Sequence, residues 1–97
     1  MISKSTIINT LKQEFSYLKS KYYVKKIGIF GSFARDEQRE TSDVDIIVDF
    51  SRPIGFFIFL QLEDYISEKL GIKVDLVTPE ALKPLLKEEI LEETIYV

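Results

Sequence analysis

Hydrophobic and polar positions alternate with two different periods along this chain. Apolar residues recur at helical spacing over Ser5–Ser20 and again over Phe57–Leu70, which predicts two amphipathic helices. Runs rich in β-branched residues predict strands over Val24–Phe30, Val44–Phe50 and Lys73–Val77. Because strands and helices follow one another along the chain, we expect an α/β fold.

Helix-ending and helix-starting residues place the remaining elements. Gly71 follows the second amphipathic helix where a C-cap belongs, and Thr78 with Pro79 marks a new helix start. Proline should interrupt that helix at once, and a final helix is predicted over Pro84–Glu93. The tail Thr94–Val97 is β-prone and is expected at a sheet edge. We therefore predict one domain over residues 1–97, of the α/β (α+β) class, in which helices cover a small mixed sheet.

The absence of two residue types narrows the chemistry. The chain has no cysteine and no histidine among its 97 residues. Disulfides, metal sites built on thiolate or imidazole, and Cys–His or Ser–His nucleophiles are therefore excluded. Any metal must be held by oxygen atoms, which favours Mg²⁺ or Mn²⁺.

Charge and hydropathy limit the partners. The net charge is −3 and the pI is about 5.0, whereas binding nucleic-acid phosphates needs clustered Lys and Arg, so we expect no direct nucleic-acid binding. The longest apolar run, Ile54–Leu60, is too short to span a membrane, and no N-terminal signal pattern is present. These features, together with the lack of cysteine, lead us to expect a cytoplasmic protein.

The residues that carry candidate chemistry lie around the first two strands. Gly31 and Ser32 follow the first strand directly, where glycine lets the backbone approach a phosphate and serine adds a hydroxyl and an amide N–H. Arg35, one turn later, could reach a phosphate or pair with a strand carboxylate, and we count it as nucleotide-binding. Asp43 and Asp45 stand two residues apart at the start of the second strand and therefore share one face.

A third carboxylate, that of Asp75, lies at the centre of the third strand. It would join Asp43 and Asp45 if that strand is adjacent and in register. Three carboxylates in one pocket repel one another, so without a cation at least one pKa would rise. Two Mg²⁺ ions about 4 Å apart would relieve the repulsion and bridge a triphosphate, which predicts metal-assisted phosphoryl or nucleotidyl transfer.

Each of these residues also has a plain structural explanation. A Gly-Ser pair alone is a common turn signal, and isolated acids or arginines are mostly surface residues. Asp45 is harder to explain in this way, because it lies between Val44 and Ile46 in an apolar strand, where an unpaired buried charge would be costly. The combination of residues therefore favours a site over separate surface positions.

The stretch Gly31–Arg35, followed by Ser42–Val48, resembles the signature of the polymerase-beta-type nucleotidyltransferases: Gly-Ser-x-Ala-Arg-Gly and then Ser-Asp-hydrophobic-Asp. The short length and the strand Val74–Val77, followed by a Thr-Pro pair, narrow the resemblance to the minimal nucleotidyltransferases (MNT). Members of that family are the antitoxin partners of HEPN-domain ribonuclease toxins. The resemblance covers nearly the whole chain.

This resemblance implies a palm-type mixed sheet and a role for each candidate residue. It assigns metal binding and catalysis to Asp43, Asp45 and Asp75, with Asp75 as ligand or general base, and triphosphate binding to Gly31 and Ser32. The implied reaction transfers AMP from ATP to a tyrosine of the HEPN toxin and so blocks RNA cleavage. Mg²⁺ is the implied cofactor, and a hetero-oligomer with the HEPN toxin is the implied assembly.

One position departs from the family pattern, since Asp36 stands where glycine is usual. If the backbone there needs a positive φ, aspartate tolerates that conformation better than most residues do. Its extra negative charge near the phosphates would weaken nucleotide binding. The three aspartates of the site are intact, so the departure does not predict an inactive enzyme.

Two other functions stay open. A non-catalytic antitoxin would neutralise its toxin by contact alone, and any exposed part of the apolar cluster Ile54–Leu60 would supply the docking surface. A small-molecule nucleotidyltransferase, acting for example on an aminoglycoside hydroxyl, would normally need a second domain to wall its substrate pocket, and this chain has none.

Overall fold

The computed structural model describes residues 2–97 and contains the helices and strands that the sequence predicts. In chain order they are helix α1 (Lys4–Tyr22), strand β1 (Val24–Phe30), the short helix α2 (Gly31–Ala34), strand β2 (Val44–Phe50), helix α3 (Phe56–Leu70), strand β3 (Val74–Val77), a 3₁₀ turn (Pro79–Ala81), helix α4 (Pro84–Glu93) and strand β4 (Ile95–Tyr96). The predicted ends of β1 and β2 are confirmed, and those of the two long helices differ by at most two residues. No helix within residues 2–97 combines the length and apolar composition needed to cross a membrane.

The four strands form one mixed sheet in the order β3–β2–β1–β4. β1 runs antiparallel to both of its neighbours, β2 and β4, whereas β2 and β3 are parallel. A parallel pair needs a crossover connection, and α3 supplies it between β2 and β3. The predicted fold class is therefore confirmed.

The hydrophobic core lies between one face of the sheet and the helices α1 and α3. β2 contributes Val44, Ile46 and Val48 to this core, all at most 1% exposed. Asp45 and Ile47 alternate with them and so face the other side of the sheet, where Ile47 is also buried. The core side chains from the two helices are Ile7, Leu11, Leu18, Tyr22, Leu62, Ile66 and Leu70.

Capping residues end the elements close to where the sequence predicts. Gly71 has a φ of +69° and is the left-handed C-cap of α3. Thr78 is extended and precedes Pro79 at the start of the 3₁₀ turn, although the Thr78 side chain makes no capping hydrogen bond.

At the outer edge of β3, Glu63 of α3 accepts a hydrogen bond of 2.9 Å from the Leu76 N–H, which blocks that edge against further strands.

The C-terminal strand β4 lies very close to β1 at Gly28. The two strands pair antiparallel there, and beyond β4 the Val97 N–H donates to the Ile27 carbonyl at 3.0 Å. A Cβ atom on Gly28 would lie only 2.7 Å from the Ile95 carbonyl oxygen. The absence of a side chain at Gly28 therefore permits the contact that joins the tail to the sheet edge.

Replacing Gly28 by alanine is expected to destabilise the protein by loosening β4. The new methyl group would overlap a backbone oxygen, and overpacking of this kind typically costs about 1–3 kcal/mol. Urea denaturation followed by circular dichroism measures the loss. Gly55→Ala is the matched control, since no atom lies within 4 Å of a Cβ at Gly55. Equal free energies of unfolding for the two variants would contradict this account of the tail.

Candidate active site

Parallel pairing of β2 with β3 sets two of the predicted site carboxylates side by side. Asp45 and Asp75 are direct partners in the register of the two strands. Because Ile46 and Leu76, which follow them, belong to the core, both aspartates extend from the opposite face of the sheet. Asp43 precedes Asp45 by two residues and belongs to the same side. The condition that the third strand be adjacent and in register is therefore met.

The turn after β1 closes against the same carboxylates. Gly31 begins α2 with a φ of +74°, a conformation that L side chains rarely adopt. Phe30, the residue before it, is the register partner of Asp45. The Asp45 carboxylate lies so close to the Gly31 Cα that a Cβ there would overlap Oδ2. The Gly31–Ser32 turn and the aspartates thus share one small volume.

Burial, together with neighbouring acids, raises the pKa of Asp45 to about 6. Burial is the largest cause, and the negative charges of Asp75 and Asp43 come next. Arg35 acts in the opposite direction, and Glu93 adds to the rise. A pKa raised in this way indicates that the Asp45 carboxyl group is partly desolvated and that the positive charge near it does not offset the neighbouring acids.

The available donors suit a hard divalent cation. Within residues 2–97, no three acidic side chains lie close enough together in this arrangement to hold one ion, and Asp43 has its Oδ2 3.7 Å from the Nζ of Lys73. The donors of Asp43, Asp45 and Asp75 are all carboxylate oxygens, which Mg²⁺ and Mn²⁺ prefer. A cation would also relieve the repulsion that raises the Asp45 pKa. The donor chemistry of Asp43, Asp45 and Asp75 therefore suits such an ion, although their side chains would have to move closer together to bind it.

Two glutamates hold the guanidinium group of Arg35. Its Nε donates to Glu37 Oε1 at 2.6 Å, and its Nη1 donates to both carboxylate oxygens of Glu93 at 2.9 and 3.0 Å. Glu93 also accepts the Gly31 N–H at 2.5 Å. Sequence reasoning missed Glu93, because it ends an acidic stretch that begins at Glu88 and resembles a solvated helix face. No local signal distinguishes Glu93 from its neighbours.

Asp36 adopts the positive φ that its position suggests. Its φ is +57°, so the condition under which aspartate suits this position better than most residues is met. The Nζ of Lys4, from α1, lies 2.9 Å from Asp36 Oδ2. The extra negative charge is therefore paired, and its effect on nucleotide binding stays a prediction.

Comparison with known proteins places the chain in a family. The nucleotidyltransferase domain profile matches residues 8–97. A protein of Methanocaldococcus jannaschii, provisionally named a protein adenylyltransferase, is 47% identical over 98 residues and is matched over 100% of both chains. Protein adenylyltransferase MntA of Thermococcus cleftensis is 38% identical over 97 residues, which cover 100% of this chain and 98% of MntA. The chain belongs to the nucleotidyltransferase domain family.

Solved structures refine this assignment. A protein provisionally described as a minimal nucleotidyltransferase superposes with a TM-score of 0.82 at 31% identity, over 97% of this chain and 95% of its own. A toxin–antitoxin complex with AMP-PNP contains a chain that superposes with a TM-score of 0.69 at 21% identity, over 98% of this chain and 72% of its own, a likeness that shows the fold. The chain is a nucleotidyltransferase of the minimal type, which confirms the family and the enzyme class predicted from the sequence.

Gly31→Ala is expected to disrupt the site. The new Cβ would overlap the Asp45 carboxylate, and the alanine residue would have to adopt a φ of +74°. The loss of stability should therefore exceed the roughly 1–2 kcal/mol that a left-handed conformation costs by itself. Gly71→Ala isolates that conformational cost, because Gly71 has a φ of +69° but no atom within 4 Å of a Cβ. Thermal denaturation of both variants checks the difference, and equal losses would mean that Asp45 does not pack on the turn.

The raised pKa of Asp45 predicts a defined dependence of stability on pH. The carboxyl group keeps its proton up to about pH 6 in the folded state, against an ordinary value of 3.8. Between these values the folded state binds more protons than the unfolded state, so the free energy of unfolding falls as the pH rises from about 4 to about 6. The shift corresponds to at most ~3 kcal/mol, and to about 1–2 kcal/mol once partial solvation is allowed for.

The Asp45→Asn variant lacks the titrating carboxyl group and therefore lacks its pH-dependent contribution to the free energy of unfolding. The stability of the variant relative to the wild type should increase by about 1–2 kcal/mol between pH 4 and pH 7 in the absence of divalent metal. Urea denaturation in buffers containing EDTA at the two pH values provides the comparison. A relative stability that does not change with pH would show that the Asp45 pKa is ordinary.

Proposed function

We propose that this chain is the antitoxin of a HEPN/MNT toxin–antitoxin system, and that it transfers AMP from ATP to a tyrosine hydroxyl of its HEPN partner. The observation that carries the proposal is the meeting of Asp45, Asp75 and the Gly31 turn on one face of the sheet. Similarity to proteins named protein adenylyltransferase supports the type of reaction. The fold shared with a chain of a toxin–antitoxin complex with AMP-PNP suggests the partner and the nucleotide.

In this proposal three aspartates hold Mg²⁺, or Mn²⁺ in its place. When bound, Mg²⁺ would offset the charge of the carboxylates and of the triphosphate and would lower the pKa of the attacking hydroxyl. Asp43 and Asp45 are ligands from the start of β2. Asp75, beside Asp45 on β3, is a further ligand or the general base that accepts the proton of the attacking hydroxyl.

The turn after β1 binds the nucleotide. Gly31 keeps the backbone close to the carboxylate face, because no side chain lies between it and Asp45. The Ser32 hydroxyl and amide N–H donate to the triphosphate. Arg35, whose side chain is 48% exposed, directs its positive charge toward the phosphates and offsets the acids around Asp45.

The chemical step is a displacement at the α-phosphorus. The tyrosine oxygen forms a bond to the α-phosphorus. At the same time the bond breaks between the α-phosphorus and the oxygen that joins it to the β-phosphorus. The phenolic proton passes to a site carboxylate, and pyrophosphate leaves. AMP becomes attached to the toxin, which blocks RNA cleavage.

Asp45→Asn is expected to abolish AMP transfer while preserving the fold. Losing a metal-ligand charge removes several kcal/mol of transition-state stabilisation, which corresponds to a rate at least about 10³-fold lower. The measurement is the incorporation of labelled AMP from ATP and Mg²⁺ into a HEPN protein from the same genome, with mass spectrometry of that protein. Asp49→Asn is the matched control, since it lies further along β2 on the same face and should transfer AMP at the wild-type rate. Equal labelling by wild type and Asp45→Asn would end the proposal.

A second function, neutralisation by contact without catalysis, is favoured by one observation. Phe56 and Phe57, at the start of α3, are 69% and 78% exposed. The apolar cluster Ile54–Leu60 is therefore not wholly buried, and exposed aromatic side chains are typical of surfaces that bind a protein partner. Asp45→Asn also separates the two functions in cells. If the variant still suppresses the toxin, neutralisation occurs by contact; if it does not, the wild-type protein neutralises the toxin through AMP transfer.

A small-molecule substrate is less well supported. A groove of about 980 Å³ runs past the later residues of β2 and β3, lined among others by Arg52, Phe56 and Phe59. None of the three aspartates lines it, so it does not supply the walled pocket beside the carboxylates that a small substrate needs. A cytoplasmic location, a single domain over residues 1–97 and the lack of nucleic-acid binding stay predictions.

A further inference from the structure

Glu93 is the one acidic residue from the C-terminal part of the chain that reaches the turn after β1. Its Oε2 accepts the Gly31 N–H at 2.5 Å, and its two carboxylate oxygens accept from Nη1 of Arg35 at 2.9 and 3.0 Å. The Glu93 side chain is 20% exposed, whereas Glu92 beside it lies on the surface. One carboxylate therefore bridges the first residue of α2 and the residue that follows its end.

Glu93 provides the hydrogen-bond acceptor for the backbone N–H of Gly31. Gly31 is buried and has a φ of +74°, so its backbone is held away from the conformations that most residues prefer. A buried N–H without an acceptor carries a free-energy cost. The carboxylate of Glu93 removes that cost and stabilises the glycine conformation on which the Asp45 carboxylate packs.

The contact with Arg35 sets the direction of the guanidinium group. Glu37 takes Nε and Glu93 takes Nη1, which leaves Nη2 without an acceptor among residues 2–97. A planar guanidinium held at two of its nitrogens has little freedom to rotate. Its remaining donors therefore point in one direction, which suits a group that must meet a phosphate.

The position of Glu93 is itself determined by the tail of the chain. The Thr94 hydroxyl donates to the Ile90 carbonyl at 2.7 Å, where α4 ends. Ile95 then pairs with Ile29 of β1, and Gly28 allows that close approach. Glu93 thus lies between the end of α4 and strand β4, so its carboxylate is held in place. We call this carboxylate, with its contacts to Gly31 and Arg35, the brace.

We propose that Glu93 is a positioning residue for nucleotidyl transfer, holding the Gly31 turn and the Arg35 guanidinium in the geometry that receives the triphosphate. The proposal rests on the proposed function and adds to it a residue that does not itself touch the nucleotide. It also gives the β-prone tail a role, because the pairing of β4 with β1 holds the end of α4, and with it Glu93, beside the turn.

Calorimetric titration with AMP-PNP and Mg²⁺ tests the proposal in the wild-type protein and in Glu93→Ala, Glu93→Gln and Glu92→Gln. Without the brace, affinity for AMP-PNP should fall about 10-fold or more in Glu93→Ala, because small displacements of binding groups have effects of this size. Glu93→Gln keeps an acceptor for the Gly31 N–H and should recover part of the affinity. Glu92→Gln removes the same charge without the contacts and should bind like the wild type.

Thermal denaturation and AMP-transfer kinetics separate positioning from a structural role. Glu93→Gln should melt within a few degrees of the wild type while its KM for ATP rises more than its kcat falls. An affinity for AMP-PNP in Glu93→Ala that equals or exceeds that of the wild type would overturn the proposal, and an increase would mean that Glu93 competes with the phosphates. A wild-type protein that binds AMP-PNP but labels no HEPN protein would contradict the proposed function alone, leaving the role of Glu93 to the binding data.

Discussion

Repulsion between neighbouring carboxylates on β2 and β3 is the constraint on which the rest of this structure depends. The parallel register makes Asp45 and Asp75 direct partners, and Asp43 stands just before them. Water and a cation can offset such a concentration of charge, whereas an apolar helix cannot. The helices α1 and α3 accordingly pack on the opposite face, and the acidic face is left open to ligands. Burial and, after it, repulsion from Asp75 and Asp43 raise the pKa of Asp45.

The buried face of the sheet fixes the strand that carries the acidic residues of the other face. Val44 and Ile46 are fully buried on either side of Asp45, so the backbone that carries the carboxylate has little freedom. The antiparallel pairing with β1 then brings the Gly31 turn to Asp45, since Phe30 and Asp45 are register partners. A strained turn and a crowded carboxylate are held together because each lies at the end of a well-packed strand. The geometry of the candidate site is thus determined by the ends of well-packed strands.

Much of the fold could be predicted from the sequence, because its signals are local. Helical periodicity placed α1 and α3 to within two residues, and β-branched runs placed β1 and β2 at their observed ends. The two-residue spacing along β2 predicted one shared face for Asp43 and Asp45, and Val44 between them lies in the core. The sequence did not predict which contacts the individual side chains make. Thr78 stands at its predicted N-cap position without the capping hydrogen bond, and Glu63 blocks the β3 edge although nothing in its sequence surroundings indicates a special role.

The candidate site divides in the same way. The sequence alone determined which residue types are present and where: a glycine after the first strand, two aspartates of one face on the second, and a third in the next strand. These follow from backbone periodicity, which depends only on neighbouring residues. The tertiary structure decided that β2 and β3 are parallel and in register, that Asp45 packs on Gly31, and that Glu93 rather than another acid of α4 reaches Arg35. Those contacts join residues as far as 58 positions apart, and only the packing of the whole chain sets such distances.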